Sequence, residues 1–109
     1  MDINVTRSDN FIVSKPMGRL DGTNSRDFEE ALKGELENGE CTVILDMEDL
    51  VYISSAGLRA VLLIAKTLKS KNFELRLCKL SKQILEVFEI TGFDMVIPIF
   101  DDEAAAKAG

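Results

Sequence analysis

One short apolar run, Thr42-Val43-Ile44-Leu45, constrains the fold of this chain more than any other stretch of its sequence. The run is rich in β-branched residues and lacks the alternation of apolar and polar residues. This pattern is typical of a central strand that is covered on both faces, rather than of a strand with one face in water. The run therefore predicts the middle of a sheet with packing on both of its sides.

Three segments with apolar residues at helical spacing surround this strand. The first follows the capping residues 23–25 and stops at Asn38-Gly39, the second begins near Ser55, and the third runs from its cap Ser81 to Gly92. The second segment has the strongest pattern. The predicted core residues are Phe28, Ala31, Leu32 and Leu36 in the first helix, Leu58, Val61, Leu62, Ile64, Ala65 and Leu68 in the second, and Ile84, Leu85, Val87 and Phe88 in the third.

The beginning of the chain predicts a β-hairpin. Apolar and polar residues alternate over residues 3–7, turn-forming residues follow at 8–10, and residues 11–13 are apolar again. Pro16 and Gly18 close the second strand, because proline cannot donate a hydrogen bond to a ladder.

Two more strands are predicted in the second half of the chain. Residues 73–78 alternate between apolar and polar side chains and predict a strand with one wetter face. Residues 96–100 are predicted as an edge strand, because Pro98 would be misplaced in the centre of a sheet. The segment 48–53 is expected to be a loop.

The order of these elements predicts the fold class. Strands separated by helices indicate parallel pairing with right-handed crossovers, and the opening hairpin adds an antiparallel pair. The sequence therefore predicts an α/β fold with helices packed against a mixed β-sheet. The length is that of one domain, so residues 1–109 are expected to form a single domain. Acidic residues at 101–103 favour a helix start, and the alanine-rich end, 104–109, is expected to fray.

The composition excludes several classes of function. The chain has no histidine, so Ser-His-Asp and Cys-His catalysis and the commonest metal ligand are missing. Its formal net charge of −6 argues against nucleic-acid binding, which needs clustered Lys and Arg. The longest apolar stretch, residues 56–68, is interrupted by Arg59 and Lys66 and cannot span a bilayer. We therefore expect a protein that is not an enzyme and has no cofactor, metal or membrane partner.

The start of the chain and its cysteines indicate the compartment. Residues 1–4 lack the basic start and apolar core of a secretory signal. Cys41 and Cys78 each lie beside an apolar run, and buried free thiols in a reducing environment are favoured over a disulfide. A cytoplasmic location is therefore expected.

Chemistry is expected in the loop after the central strand, because open α/β sheets bind ligands and partners at the carboxyl ends of their parallel strands. Ser54 and Ser55 stand there, at the start of the second predicted helix. Unpaired N–H groups and the helix dipole suit that position to an anion such as a phosphate ester. The alternative is structural: one serine caps the helix and Gly57 permits close packing.

Other residues of this loop have two interpretations each. Asp46, Glu48 and Asp49 could form a metal or paired-carboxylate site, but a solvated acidic loop, with Asp46 accepting hydrogen bonds from backbone N–H groups, is favoured. Tyr52 is as compatible with core packing beneath the loop as with contact to a partner.

Two segments carry a resemblance to a known family. An apolar strand that ends in Asp46 leads through a short loop into Ser54-Ser55-Ala56-Gly57-Leu58. This resembles the signature of the anti-sigma factor antagonist family, the STAS domain, whose pattern ends in Asp-Ser-Ser-Gly-Leu or Asp-Ser-Ala-Gly-Leu. Upstream, Gly18-Arg19-Leu20-Asp21 is similar to the family's Gly-x-Leu-Asp, and the order of elements agrees over nearly the whole chain.

The resemblance implies a STAS-like domain that acts in partner switching. In such systems the unphosphorylated antagonist binds an anti-sigma factor that is also a serine kinase, and the kinase's other client is released. The kinase uses ATP to phosphorylate the antagonist, which ends the interaction, and a PP2C-type serine phosphatase resets it. The acceptor position corresponds to Ser55. Asp21 matches an upstream Asp that lies near the acceptor and helps to engage the kinase.

One position departs from the family pattern. The family usually has Asp immediately before the acceptor, where this chain has Ser54. Ser54 either keeps only the capping role or offers a competing phosphorylation site. Arg59 either pairs with the phosphate or is a solvated helix residue, and the second interpretation is favoured. The alternative function is a constitutive scaffold or oligomerising module without a switch. The predicted partner-binding residues are Asp21, Ser54, Ala56, Gly57, Leu58 and Arg59.

Overall fold

A five-stranded mixed sheet runs through the centre of the computed structural model, which describes residues 2–8, 10–37 and 41–109. Two further short strands form a separate small sheet. The elements in chain order are β1 (Ile3–Arg7), β2 (Phe11–Pro16), β3 (Gly18–Leu20), α1 (Ser25–Glu37), β4 (Thr42–Asp46), β5 (Leu50–Ile53), α2 (Ser55–Ser70), β6 (Leu75–Cys78), α3 (Lys82–Thr91), a 3-10 turn (Phe93–Met95), β7 (Ile99–Phe100) and α4 (Glu103–Ala108).

The position of β4 confirms the interpretation of the apolar run at 42–45. The strand order is β1-β2-β4-β6-β7, so β4 lies in the middle, with β2 and β6 as parallel neighbours. Val43, Ile44 and Leu45 are fully buried. The predicted mixed α/β fold is therefore confirmed.

The predicted N-terminal hairpin is confirmed as well. β1 and β2 pair antiparallel, beginning with Ile3 opposite Pro16. Asp9 of the predicted turn lies outside the described residues, and so do the predicted helix stop signals Asn38 and Gly39.

Helices cover the two faces of the sheet unequally. The helices α1, α2 and α3 bury one face, in the main core cluster that includes Val43 and Leu45. The other face is covered by α4, whose Ala106 packs with Ile44 and Cys78. Successive side chains of β4 thus enter two separate cores, so its sequence is apolar without alternation. None of the helices in the described part of the chain has the length and apolarity that a bilayer span requires.

The end of the chain differs from the expectation that residues 104–109 fray. All but the last belong to α4, because Asp102 caps this helix and accepts a hydrogen bond from the Ala105 N–H at 2.8 Å. Arg76 Nη1 donates to the Ala106 carbonyl at 2.7 Å, and the Ala106 side chain is fully buried. The tertiary contact fixes a segment whose composition alone is typical of a tail.

The segment 48–53, expected to be a loop, contains the strand β5. It pairs in parallel with β3, and this small sheet joins the residues before α1 to the residues before α2. β5 buries Leu50 and Ile53 and exposes the two residues between them. Burial in this order gives no alternation, so the strand leaves no periodic signal in the sequence.

Two smaller details also differ from the sequence prediction. The last strand of the sheet, expected at 96–100, covers only Ile99–Phe100, because a 3-10 turn at Phe93–Met95 precedes it. Ala31, predicted in the core face of the first helix, is exposed.

Both cysteines are free and buried, in agreement with the sequence prediction. Cys78 lies at the end of β6, beneath α4, and is fully buried. Burial, together with the nearby charge of Asp46, raises the pKa of the Cys78 thiol to about 12. The thiol is therefore protonated at neutral pH.

Candidate functional site

Ser54 is the N-cap of α2. Its backbone is extended, with φ −92° and ψ 175°, and its hydroxyl accepts a hydrogen bond from the Gly57 N–H at 3.2 Å. Its carbonyl accepts the first helical hydrogen bond from the Leu58 N–H at 2.8 Å. The Ser54 side chain thus caps α2, which is one of the two roles considered for this residue.

Ser55 is the first residue of α2 and is exposed. Its hydroxyl has no hydrogen-bond partner among the residues that the structure describes. The first turn of α2 contains no acidic residue of its own, so the helix start keeps the positive end of its dipole. The Ser55 hydroxyl is therefore accessible from solvent, at a helix start of the kind that suits an anion.

Asp21 follows directly on β3, whose last carbonyl, that of Leu20, accepts a hydrogen bond from the Ser54 N–H at 2.9 Å. The Asp21 Oδ1 accepts hydrogen bonds from the Thr23 hydroxyl at 2.6 Å and the Thr23 N–H at 2.9 Å. These hydrogen bonds, together with the charge of Arg19, lower the pKa of the Asp21 carboxyl. Asp21 is therefore ionised at neutral pH and is held next to the start of α2.

Gly57 and Gly22 let these two segments approach closely. A Cβ atom on Gly57 would lie 2.5 Å from the Leu20 carbonyl oxygen and 2.9 Å from a side-chain carbon of Ile53. A Cβ atom on Gly22 would lie 3.8 Å from the Cβ of Ala56. The packing role considered for Gly57 is thus present together with the cap, and the glycine sets the depth of α2 against β3.

The small sheet adds a feature that sequence reasoning missed. The guanidinium of Arg19 lies 4.1 Å from the centre of the Tyr52 ring and forms an ion pair with Asp21, at 3.7 Å. Tyr52 and Val51 are 41 % and 67 % exposed, so they point to solvent rather than into the core. Arg19 occupies the variable position of the Gly-x-Leu-Asp motif. The motif therefore gives no indication that this residue has a role.

The structure brings most of the predicted site residues together. Asp21, Ser54 and Ala56 are partly exposed around Ser55, and Arg59 is exposed one turn further along α2. Two predicted partner-binding residues, Gly57 and Leu58, are buried instead. These two residues offer little surface to a partner, so any role in binding has to act through the position of α2.

The three acids considered as a metal or carboxylate site differ in burial, although Lys79 lies within 4.0 Å of Asp46 and 3.8 Å of Glu48. Asp46 is 1 % exposed, and its Oδ1 accepts a hydrogen bond from the Glu48 N–H at 3.0 Å. Glu48 and Asp49 are exposed and pair with Lys15, at 2.9 and 3.6 Å. Asp46 therefore accepts a hydrogen bond from a backbone N–H, as predicted, but it is buried rather than part of a solvated loop. No group of three His, Cys, Asp or Glu residues suited to a metal ion occurs in the described part of the chain.

Asp46 also contacts Glu103, the first residue of α4. A hydrogen bond to Asp46 raises the pKa of the Glu103 carboxyl above its ordinary value of 4.5, and desolvation and the charge of Asp46 act in the same direction. Lys107 and Lys79 oppose this shift. A group whose pKa is raised by folding stabilises most below its unfolded pKa, and this contribution is lost as the pH rises through the folded pKa.

Glu103→Gln is expected to stabilise the protein at pH 7 by about 1 kcal/mol, because the amide keeps a donor for Asp46 and removes the second charge. Near pH 4 the two proteins should be equally stable, since Glu103 is then largely protonated. Urea unfolding between pH 4 and pH 8 measures the difference, with Glu89→Gln, an exposed change in α3, as the control. A stability difference that is constant over this pH range would contradict the Glu103–Asp46 interaction.

Comparison with known proteins agrees with the resemblance seen in the motifs. The STAS domain family model matches residues 2–106. A protein assigned as the anti-sigma factor antagonist BtrV of Bordetella bronchiseptica is 39 % identical, over 99 % of this chain and 93 % of its own. The fold matches the crystal structure of an assigned anti-sigma factor antagonist of Thermotoga maritima with a TM-score of 0.92, at 21 % identity, over 97 % and 92 % of the two chains.

A further structural match is SpoIIAA, a Bacillus cell fate determinant that was solved in its phosphorylated form. It has a TM-score of 0.75 at 19 % identity and covers 98 % of both chains. At this identity the match supports the fold alone. The family model and BtrV both span nearly the whole chain, and members of this family are regulators rather than enzymes. The chain therefore belongs to the anti-sigma factor antagonist family of STAS domains.

Proposed function

We propose that this protein is a cytoplasmic anti-sigma factor antagonist controlled by phosphorylation of Ser55. Unmodified, it binds an anti-sigma factor that is also a serine kinase, and this kinase ends the interaction by phosphorylating Ser55 with ATP. A PP2C-type serine phosphatase removes the phosphate and restores binding. One observation carries the proposal: Ser54 uses its hydroxyl to cap α2, whereas the hydroxyl of Ser55 is exposed and unpartnered among the described residues.

A phosphate on Ser55 is expected to leave the fold intact and to change the docking face. The ester would lie beside the N–H groups and the positive dipole of the first turn of α2. It would add about −1.5 to −2 charges at neutral pH. A partner that packs closely over the neutral hydroxyl would have to desolvate this charge, and the complex would be lost.

The proposed docking face combines exposed apolar side chains with fixed charges. Val51 and Tyr52 offer apolar area beside Ser55, and the Tyr52 ring is held by the Arg19 guanidinium. Asp21 offers a carboxylate whose lowered pKa keeps it ionised. Exposed aromatic side chains with nearby charges are typical of the anchors of protein interfaces.

The relatives support this proposal through their names. BtrV is named as an antagonist of an anti-sigma factor. SpoIIAA has been solved in its phosphorylated form. A protein with this fold thus exists in a phosphorylated form.

Phosphosite mapping by mass spectrometry tests the proposal. In protein recovered from its native cells, growing and stressed, we expect phosphate on Ser55 in an amount that differs between the two conditions. Ser54→Asp keeps a capping oxygen and removes the Ser54 hydroxyl, so it should still be phosphorylated, whereas Ser55→Ala should not. Phosphate on Ser54 would reassign the acceptor. Absence of phosphate under every condition would instead favour the constitutive scaffold or oligomerising module.

A further inference from the structure

A groove lies near the other end of α2. Its cavity measures about 180 Å³, and its apolar floor includes Phe73, Leu75 and Val96. Lys66 and Lys69 of α2 stand at its edge, together with Glu74. Part of its apolar lining faces solvent, since Val96 is 58 % exposed.

The charge of this groove is opposite to that of the protein as a whole. Neither Lys66 nor Lys69 has an ion-pair partner among the described residues, whereas Glu74 is paired with Arg76. Two unneutralised ammonium groups therefore flank an apolar cavity on a chain with a net charge of −6. An apolar cavity between two ammonium groups suits a ligand in which an apolar side chain is flanked by carboxylates.

The groove is separate from the serine site. Lys66 follows Ser55 by eleven residues along α2, and the rise of an α-helix places it about 16 Å further along the axis. At that distance a charge on Ser55 is screened at physiological salt. A partner can therefore occupy the groove whether or not Ser55 carries phosphate.

We propose that this groove is a second docking surface, which binds an acidic-apolar peptide segment of a partner protein independently of Ser55. The apolar side chain of the segment enters the cavity over Phe73 and Val96, and its carboxylates face Lys66 and Lys69. A second copy of this chain fits less well, because two chains of net charge −6 repel each other.

A binding experiment with a synthetic probe tests this proposal. The probe is a fluorescein-labelled peptide with a Leu-Phe centre and two aspartates on either side, and its control has asparagines in place of the aspartates. Fluorescence anisotropy should show binding of the first peptide and at least tenfold weaker binding of the second. In ¹⁵N-labelled protein the largest amide shifts should surround the groove.

Two sets of variants make the test specific. Lys66→Glu with Lys69→Glu should weaken binding at least tenfold, and Val96→Asp should do the same. Arg26→Glu with Lys82→Glu changes two exposed cations outside the groove and should bind within twofold of the native protein, as should Ser55→Asp. Lys66→Gln with Lys69→Gln repeats the loss of charge with a smaller effect on the helix end.

Three results would overturn the proposal. The first is equal binding of the aspartate and asparagine peptides, and the second is an equal loss of affinity in the control variants. The third is a dimer in sedimentation equilibrium that Val96→Asp dissociates, which would assign the groove to a second copy of the chain. All of these results concern the synthetic peptide or self-association, whereas the phosphorylation switch is tested by phosphosite mapping and by binding of the kinase, so the failure of one proposal is distinguishable from the failure of the other.

Discussion

Ser55→Asp is expected to weaken binding to the proposed partner, an anti-sigma factor kinase, about a hundredfold, which corresponds to about 2.7 kcal/mol. Ser55→Ala should bind as tightly as the native protein or tighter. The reason is that Ser55 is exposed at the start of α2, where the proposed interface brings a partner into close contact. Aspartate carries less charge than a phosphate, so its effect is a lower bound for that of the modification.

Isothermal titration of the purified kinase with each variant measures this effect. Ser81→Asp is the matched control, because Ser81 caps α3 as Ser54 caps α2, and aspartate caps a helix as well as serine does. It adds the same charge on another element and should leave the affinity within about twofold. Equal affinities of Ser55→Asp and Ser55→Ala would exclude a charge-controlled interface at this serine.

Gly57→Ala is expected to destabilise the protein by about 3 kcal/mol and to lower its melting temperature by more than about 10 °C. In most helices this exchange is favourable. Here the new Cβ would lie 2.5 Å from the Leu20 carbonyl oxygen, a backbone atom that cannot move aside alone. Either α2 or β3 has to shift, and the hydrogen bond from the Ser54 N–H to Leu20 is then strained.

Gly34→Ala in α1 gives the matched comparison for Gly57→Ala. A Cβ atom on Gly34 has no neighbour within 4 Å, so alanine should stabilise the protein there by about 0.5–1 kcal/mol. Thermal and urea unfolding of the two variants should therefore change in opposite directions. A gain of stability in both would show that α2 and β3 are not in close contact at Gly57.

Features with a strong local signal could be predicted from the sequence. The unbroken apolar run of β4 identified the sheet centre, and helix α3 has the predicted residues, Ser81 and Gly92, as its two caps. The strands β3 and β5 could not be found in this way. They are three and four residues long and pair only with each other, so a long-range contact rather than periodicity defines them.

The site shows the same division between local and distant causes. The position of the serine pair at a helix start follows from local pattern, but serine is an equally good cap at either of its two places. The choice depends on where α2 begins, and α2 is fixed by the contact of Gly57 with Leu20, more than thirty residues earlier in the chain. Likewise, the local sequence predicts that Asp46 is a solvated loop residue, because its burial depends on the packing of the distant helix α4.

The rate at which the buried Cys78 thiol is alkylated can report how often α4 moves away from the sheet. Alkylating reagents attack an accessible thiolate. With α4 packed on the sheet, Cys78 is fully buried and its pKa is raised to about 12. The rate of its alkylation therefore counts the openings of α4, as hydrogen exchange counts the openings of single amides. The helix α4 and the helices α1 and α2 cover opposite faces of the sheet. Alkylation of Cys78 therefore takes place on the face opposite to the helix that carries the serine site.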